Sequence, residues 1–305
     1  FNVPATDNAT TNGCAGSSSC VLTVNGAFAA GGTNTLGITY QAVRPHPSQF
    51  VSGAPTFIGG AAIFGAGPAP TPQIATGTYN DDYLLHLTYA TFDTQYHSNV
   101  TYDSTGTITS WTRDNGSLNT VGQPGPAAES GSVADGIGWS RWLDTNNFAS
   151  NAPNLAKTGR HLVSGPLATN LPASGTVNYE LIGQTKPTDR AGNLDPGTFS
   201  GSLAVDFASR KVGFDFAVAI GDRGWAMKTT GGSANPNSGG YNITASNGFA
   251  GNPVVTGTTA ASCTTSCFGN VQGALFGNGA SHVGAGFTIS DGTLIVSGVG
   301  AFGKP

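Results

Sequence analysis

Charge is scarce in this chain, and that scarcity excludes more than any motif identifies. Lys and Arg total 12 and Asp and Glu 16 among 305 residues, so 9% of positions are charged, against roughly 25% in an average globular protein. Phosphate neutralisation needs clustered Lys and Arg, so no nucleic-acid partner is expected. Intrinsic disorder is excluded on other grounds. It combines low hydrophobicity with high net charge, and 38% of this chain is apolar, with 16 Phe. No run approaches the roughly 18 apolar residues of a membrane helix, so no membrane-spanning helix is expected. Catalytic signatures are missing as well: there is no Gly-x-Ser-x-Gly elbow, no His-Glu-x-x-His and no phosphate-cradling glycine loop behind a strand. Asp206 and Asp215 are read as facing each other across a hairpin, but both alternate with apolar residues and are expected to point to water. The chain is therefore not read as an enzyme.

Cysteine is scarce too, with Cys14 near Cys20 and Cys263 near Cys267. Close pairs in Gly/Ser/Thr-rich text read as two short-loop disulfides, which persist outside the reducing cytosol. A zinc site is the rival reading, but neither segment supplies an adjacent His or a further Cys. Loops this short constrain little chain entropy, so the bridges are expected to pin local turns. The chain begins at Phe1, which leads to the expectation of a removed leader or a longer precursor. Together these lead to the expectation of an exported protein in an oxidising compartment.

What is abundant is glycine, 46 residues of it, with many Thr, Ser, Asn and Ala. That mixture suits short strands and tight turns and suits helices badly, so an all-β fold is expected. Alternation with period two marks the strands. Phe199, Leu203, Val205 and Phe207 share one face of a strand, and Val212, Phe214, Phe216, Val218 and Ile220 share one face of its hairpin partner. In the closing stretch, Cys267 to Pro305, the alternating sets are Val271, Gly273, Leu275 and then Val283, Ala285, Phe287, Ile289. There Ser290-Asp291-Gly292 signals a hairpin between the last two strands. The passage from Pro45 to about Pro72, which contains GGAAIFGAGPAPTP, reads as a long irregular loop. A soft boundary at VGQPGPAAESGS, residues 121 to 132, breaks every period and divides a β-sheet domain at 1–130 from a second domain at 131–305.

The second half carries an ordered set of segments: LPASGTVNYELIG, PGTFSGSLAVDFASRKVGFDFAVAI, FGNVQGALFGNGASHVGAGFTI and a final GVGAFGK. One motif within them runs Gly269-Asn270-Val271-Gln272-Gly273-Ala274-Leu275-Phe276-Gly277, followed by Ala280 and Gly284 to Phe287. This order resembles the β-barrel domain of transferrin-binding protein B-like surface proteins, and more closely the C-terminal barrel of certain FecR-domain proteins of Gram-negative bacteria. The likeness covers residues 135 to 305. It implies an eight-stranded antiparallel barrel filled by side chains, with the N-terminal half as a β-rich handle. Membrane-anchored members of that family begin at an acylated cysteine, whereas the first cysteine here is Cys14, so a released form or a fragment of an anchored precursor is expected.

Few residues suggest a ligand. Of the histidines His46, His86, His97, His161 and His282, the pair His86 and His97 would approach on neighbouring strands and offer axial ligands to haem, although all five also read as ordinary surface or loop residues. Asp189, Asn193 and Asp195 resemble the start of a calcium loop, but no Glu stands at the twelfth position, and a polar turn built on Asx and Gly is the simpler reading. No cofactor is expected outright, haem and calcium being the two candidates. The resemblance implies a surface binding protein that captures a protein, iron carrier or haem, with an outer-membrane transporter as a further partner. The alternative is a structural subunit of a surface layer or extracellular fibre, in which neighbouring copies pair through exposed sheet edges or extended termini.

Overall fold

Strand formers separated by Gly, Asn and Asp turns leave no stretch with a helical period, and every described element is a β-strand. The computed structural model describes residues 2–4, 21–28, 35–44, 56–65, 74–88, 91–112, 127–134, 136–143 and 157–305 apart from 293. Backbone alone is described at 2–4, 21–28, 35–44, 56–65, 80–82, 86, 88, 91 and 93–98. The chain divides into two compact units, Phe1–Thr71 and Pro72–Pro305.

The first unit holds an antiparallel meander of β1 (Asn2–Pro4), β2 (Val21–Phe28), β3 (Thr35–Arg44) and β4 (Thr56–Gly65), in that spatial order. β4 corrects the sequence reading of a continuous loop from Pro45 to Pro72. Its text, TFIGGAAIFG, has β-forming Thr, Phe and Ile at its start and Ile and Phe near its end. Ten consecutive residues pair with β3, from Thr56 opposite Arg44 to Gly65 opposite Thr35. The central glycines and alanines blunt the alternation that would have revealed the strand.

The second unit contains two sheets. The six-stranded one comprises β5 (Gly77–Thr88), β6 (Thr91–Tyr102), β7 (Ile108–Thr112), β8 (Ala127–Val133), β9 (Ile137–Trp142) and β10 (Arg160–Gly165), ordered β7-β6-β5-β10-β9-β8. The domain border placed at 130 falls inside β8, and this sheet draws strands from both sides of it. Its outer strands come together where the Thr107 hydroxyl donates to Ser130 Oγ at 2.7 Å, so the sheet curls. The inside of the curl buries Leu84, Val100, Tyr102, Ile108, Trp111, Trp142 and Leu162.

The large sheet comprises β11 (Thr176–Gln184), β12 (Thr188–Asp189), β13 (Thr198–Asp206), β14 (Lys211–Ile220), β15 (Arg223–Lys228), β16 (Tyr241–Asn242), β17 (Gly248–Gly251), β18 (Val254–Gly257), β19 (Cys267–Phe276), β20 (His282–Asp291) and β21 (Leu294–Gly303). Nine strands run antiparallel in the order β17-β19-β20-β21-β11-β13-β14-β15-β18, with β12 beside β21 and β16 beside β14. They form a curled half-barrel. Its first and last strands, β17 and β18, are separated in the chain only by Asn252 and Pro253. Residues 248–251 pair with β19, and residues 254–257 pair with β15. One stretch of chain therefore serves both ends of the sheet. Proline, having no N–H to give a ladder, stands where the stretch changes partner.

The concave face of this sheet carries the alternating residues read from the sequence. Phe199, Leu203, Val205, Val212, Phe214, Phe216, Val218, Val271, Leu275, Val283, Phe287 and Phe302 belong to one buried cluster. Phe216 stacks on Phe302 at 5.5 Å between centroids and meets Phe199 edge-on at 5.2 Å, while Phe199 lies 4.8 Å from Phe287. Each such pair adds about 0.5–1.5 kcal/mol beyond area burial.

The convex face of β19, β20 and β21 receives the six-stranded sheet. Tyr83, Leu85, Leu87, Ile137 and Val163 pack there against Ala274, Phe276, Val299 and Ala301. Glycine makes the approach close. A Cβ added at Gly286 would lie 2.4 Å from Leu87 Cδ1, and one at Gly284 would lie 2.8 Å from Val163 Cγ2. Gly183 is placed by a bulge: Leu181 pairs with Phe302 but Gly183 with Ala301, leaving Ile182 as the extra residue. The bulge turns Gly183 to the convex side, where the Trp139 ring covers it and Cζ2 would sit 2.0 Å from an added Cβ.

Candidate functional site

One set of convergent polar groups lies at the β20–β21 hairpin. β20 ends at Asp291 and β21 begins at Leu294, with Gly292 at φ 62° supplying the left-handed turn residue. The carboxylate of Asp291 is therefore free of the turn. It is buried, and its Oδ2 accepts from the Trp225 indole Nε1–H at 3.1 Å and from the Cys263 amide at 2.9 Å. Arg223 Nη1 stands 3.4 Å from the same oxygen. Cys263 is bonded to Cys267 as a disulfide, and Cys267 lies directly across the ladder from Asp291. Cys263 holds φ at 54°, a left-handed value uncommon for a side chain with a Cβ. Beside Cys267, Phe268 is 68% exposed.

A second polar group lies between the two sheets of this unit. Arg141 on β9 is buried, with Nε and Nη2 both bonded to the Glu129 carboxylate on β8 and Nη1 donating to the Thr158 carbonyl at 2.9 Å. His161 on β10 is fully buried between the hydroxyls of Thr185, 2.7 Å from Nδ1, and Thr188, 2.8 Å from Nε2. Thr185 also accepts the Val299 amide. His161 thus corrects the reading of every histidine as a surface or loop residue. The Thr pair lies 24 and 27 residues downstream, too far for local spacing to show it.

The other sequence candidates are placed as follows. His86 pairs in register with Asp93, and His97 lies four residues beyond it on β6, or about 13 Å along the strand; their side chains are outside the described residues, as are His46, Cys14 and Cys20. The Asp189 carboxylate accepts the amides of Ala191 at 2.6 Å, Asn193 at 2.8 Å and Leu194 at 3.1 Å. Asp195, 85% exposed, pairs with Lys157 at 2.9 Å. The loop is thus held by its own amides. Asp206 and Asp215 do not face each other: Asp206 lies opposite Lys211, and Asp215 opposite Ser202. Nor does either point freely to water, because both hold neighbouring turns. Asp206 accepts from the Ser209 amide at 2.7 Å and Asn237 Nδ2 at 3.0 Å, and Asp215 accepts from the Ser233 amide at 2.6 Å.

Titration follows from these contacts. Hydrogen bonds from Ser209 hold the Asp206 carboxyl below the usual carboxylate range. Burial, with help from the Lys304 cation, pushes the His282 imidazole below 6.5. Burial raises Tyr179, whose hydroxyl donates to the Ala280 carbonyl at 2.7 Å, and pushes Tyr241 up to about 12.

No protein-family model matches the sequence, and no curated protein matches it either. Solved structures show loose likenesses. A surface lipoprotein is 11% identical at a TM-score of 0.37, over 73% of this chain and 98% of that one. A double mutant of transferrin binding protein B from Haemophilus parasuis is 10% identical at 0.38, over 89% of this chain and 53% of that one. The isotype 1 transferrin binding protein B of Neisseria meningitidis is 13% identical at 0.39, over 94% and 53%. The chain spans about half the length of these two transferrin binding proteins. At TM-scores below 0.5 the likenesses carry no argument about function.

Proposed function

We propose that this chain is an exported bacterial surface protein that binds a macromolecular or carrier ligand on its outside. The carrying observation is the filling of the concave face, where Phe199, Phe214, Phe216, Phe287 and Phe302 occupy the space a small ligand would need. A scaffold of this kind offers its loops and outer surface for recognition. We further propose that the curled nine-strand half-barrel closes as an eight-stranded antiparallel barrel, residues 248–257 counting as one strand that switches partner at Asn252–Pro253. The Cys263–Cys267 disulfide fits an oxidising, extracytoplasmic location. The ligand class proposed is a protein, an iron carrier or haem, passed on to an outer-membrane transporter, and the kinship to FecR-domain barrels belongs to the same proposal. Capture from culture medium, with a visible-absorption spectrum of the captured material, tests it. A retained partner or a haem band is the expected result, and a colourless protein with no partner counts against it.

A second reading draws on β4. Among the described residues it ends its sheet, and its ten residues contain neither charge nor proline, the two usual protections of an edge strand. Addition of β4 to the opposite edge strand, β1, of a neighbouring copy would build a surface layer or fibre. Electron microscopy of the concentrated protein separates the readings: fibres favour this one, and monodisperse monomers remove it.

A further inference from the structure

We propose that Cys263, Cys267 and Asp291 form a zinc site once their disulfide is reduced, so that this end of the large sheet is held either by an S–S bond or by a metal. The two sulfur atoms and a carboxylate oxygen lie within 4.8 Å of one another. A tetrahedral zinc ion, with Zn–S of about 2.3 Å and Zn–O of about 2.0 Å, needs its ligand atoms roughly 3.5–4 Å apart. Opening the S–S bond therefore asks for small side-chain shifts and no strand movement. The sequence supplies only the Cys pair. The third ligand comes from the neighbouring strand, because Cys267 and Asp291 are cross-strand partners.

Three further features suit a metal. The Trp225 indole and the Cys263 amide fix the orientation of the carboxylate through Oδ2, the role that outer-shell donors play around metal ligands. Charge also balances: two thiolates, one carboxylate and Zn²⁺ sum to −1, and Arg223, whose Nη1 is 3.4 Å from Asp291 Oδ2, brings +1. Cys263 and Cys267 are half-buried beside the exposed Phe268, which leaves room for a water in the fourth position.

The chemistry balances with a dithiol reductant. The reductant gives two electrons and two protons to the S–S bond and leaves as its cyclic disulfide, while the protein gains two thiols. Zinc binding then releases both thiol protons, so affinity rises with pH. Reoxidation by a small disulfide, which is reduced and leaves as two thiols, expels the metal and restores the bridge.

The test uses the full chain with Cys14→Ser and Cys20→Ser, so that no other thiols contribute. After reduction and removal of reductant, Zn²⁺ is titrated against a chromophoric chelator, and Cd²⁺ serves as a probe of thiolate ligation through its ultraviolet charge-transfer band. One equivalent bound with a two-thiolate Cd²⁺ band is expected, with none bound by the oxidised chain. Cys263→Ser is expected to abolish the band, and Asp291→Asn to weaken zinc binding by at least about tenfold. A reduced chain that binds no metal overturns the proposal, as does undiminished affinity in Asp291→Asn. Should Asp291→Asn fail to fold, the Cd²⁺ titration of the reduced chain decides alone: no band overturns the site, and a stoichiometric band supports it.

Discussion

The two sheets of the second unit hold together by different means. The large sheet is mainly apolar on its concave side, where aromatic rings and branched side chains meet and Tyr179 and Trp225 each donate one hydrogen bond. The six-stranded sheet meets its convex side through an apolar patch that gives way to Arg141–Glu129 and to His161 with its two threonines. An apolar face tolerates many apolar sequences of the right volume. A buried polar face requires each partner by name, since removing one leaves the other unsatisfied. Substitution is therefore expected to be graded in the large sheet and selective at the junction.

The largest effect is expected from Phe216→Ala, which removes a ring touching Phe199, Phe214 and Phe302. Equilibrium unfolding in urea should show a loss of about 3–5 kcal/mol. A loss below about 1 kcal/mol would mean that the concave face is loosely filled. Next comes Arg141→Ala, which strands the Glu129 carboxylate and should cost about 3 kcal/mol by the same measurement. The double change Arg141→Met with Glu129→Leu should recover most of that, and a double variant as unstable as the single one would deny that the pair is a matched unit. A smaller effect, about 1–3 kcal/mol, is expected for Gly183→Ala, because the new methyl meets the Trp139 ring. Combining it with Trp139→Leu should be less than additive, and strict additivity would remove Trp139 as the cause.

The smallest effect concerns pH. His282 has a folded pKa below its unfolded value of 6.5, so the unfolded chain binds the proton more readily. Stability from this group is present above 6.5 and is lost as pH falls through the folded value. His282→Gln should therefore flatten the stability profile as pH falls below 6.5. A slope equal to that of the parent would assign the dependence elsewhere.

The difference between the sheets also explains what the sequence reveals. Alternation at Phe199–Phe207, Val212–Ile220 and Val283–Ile289 foretells strands and their buried face, because a period of two is a local property. β4 escapes, since its glycines erase that period although the ladder to β3 is complete. The role of glycine on β20 is likewise hidden. Gly284 and Gly286 look like turn-forming composition, yet they mark where Val163, Leu85 and Leu87 of another sheet come close. Asp291 shows the limit most clearly. Next to Gly292 it reads as a turn residue, whereas its carboxylate serves Trp225, 66 residues away, and Cys263, 28 residues away. Partners at such separations leave no local trace. His161 with Thr185 and Thr188 is hidden for the same reason.

The central claim is that a filled β scaffold presents its outside to a partner. Its most direct test is gel filtration with light scattering and visible absorption, applied to the purified full chain before and after incubation with its source culture medium. The expected result is a monomer that afterwards retains a partner in fixed stoichiometry or carries a haem band. A colourless chain of unchanged mass, or one that grows into fibres without a partner, would contradict it.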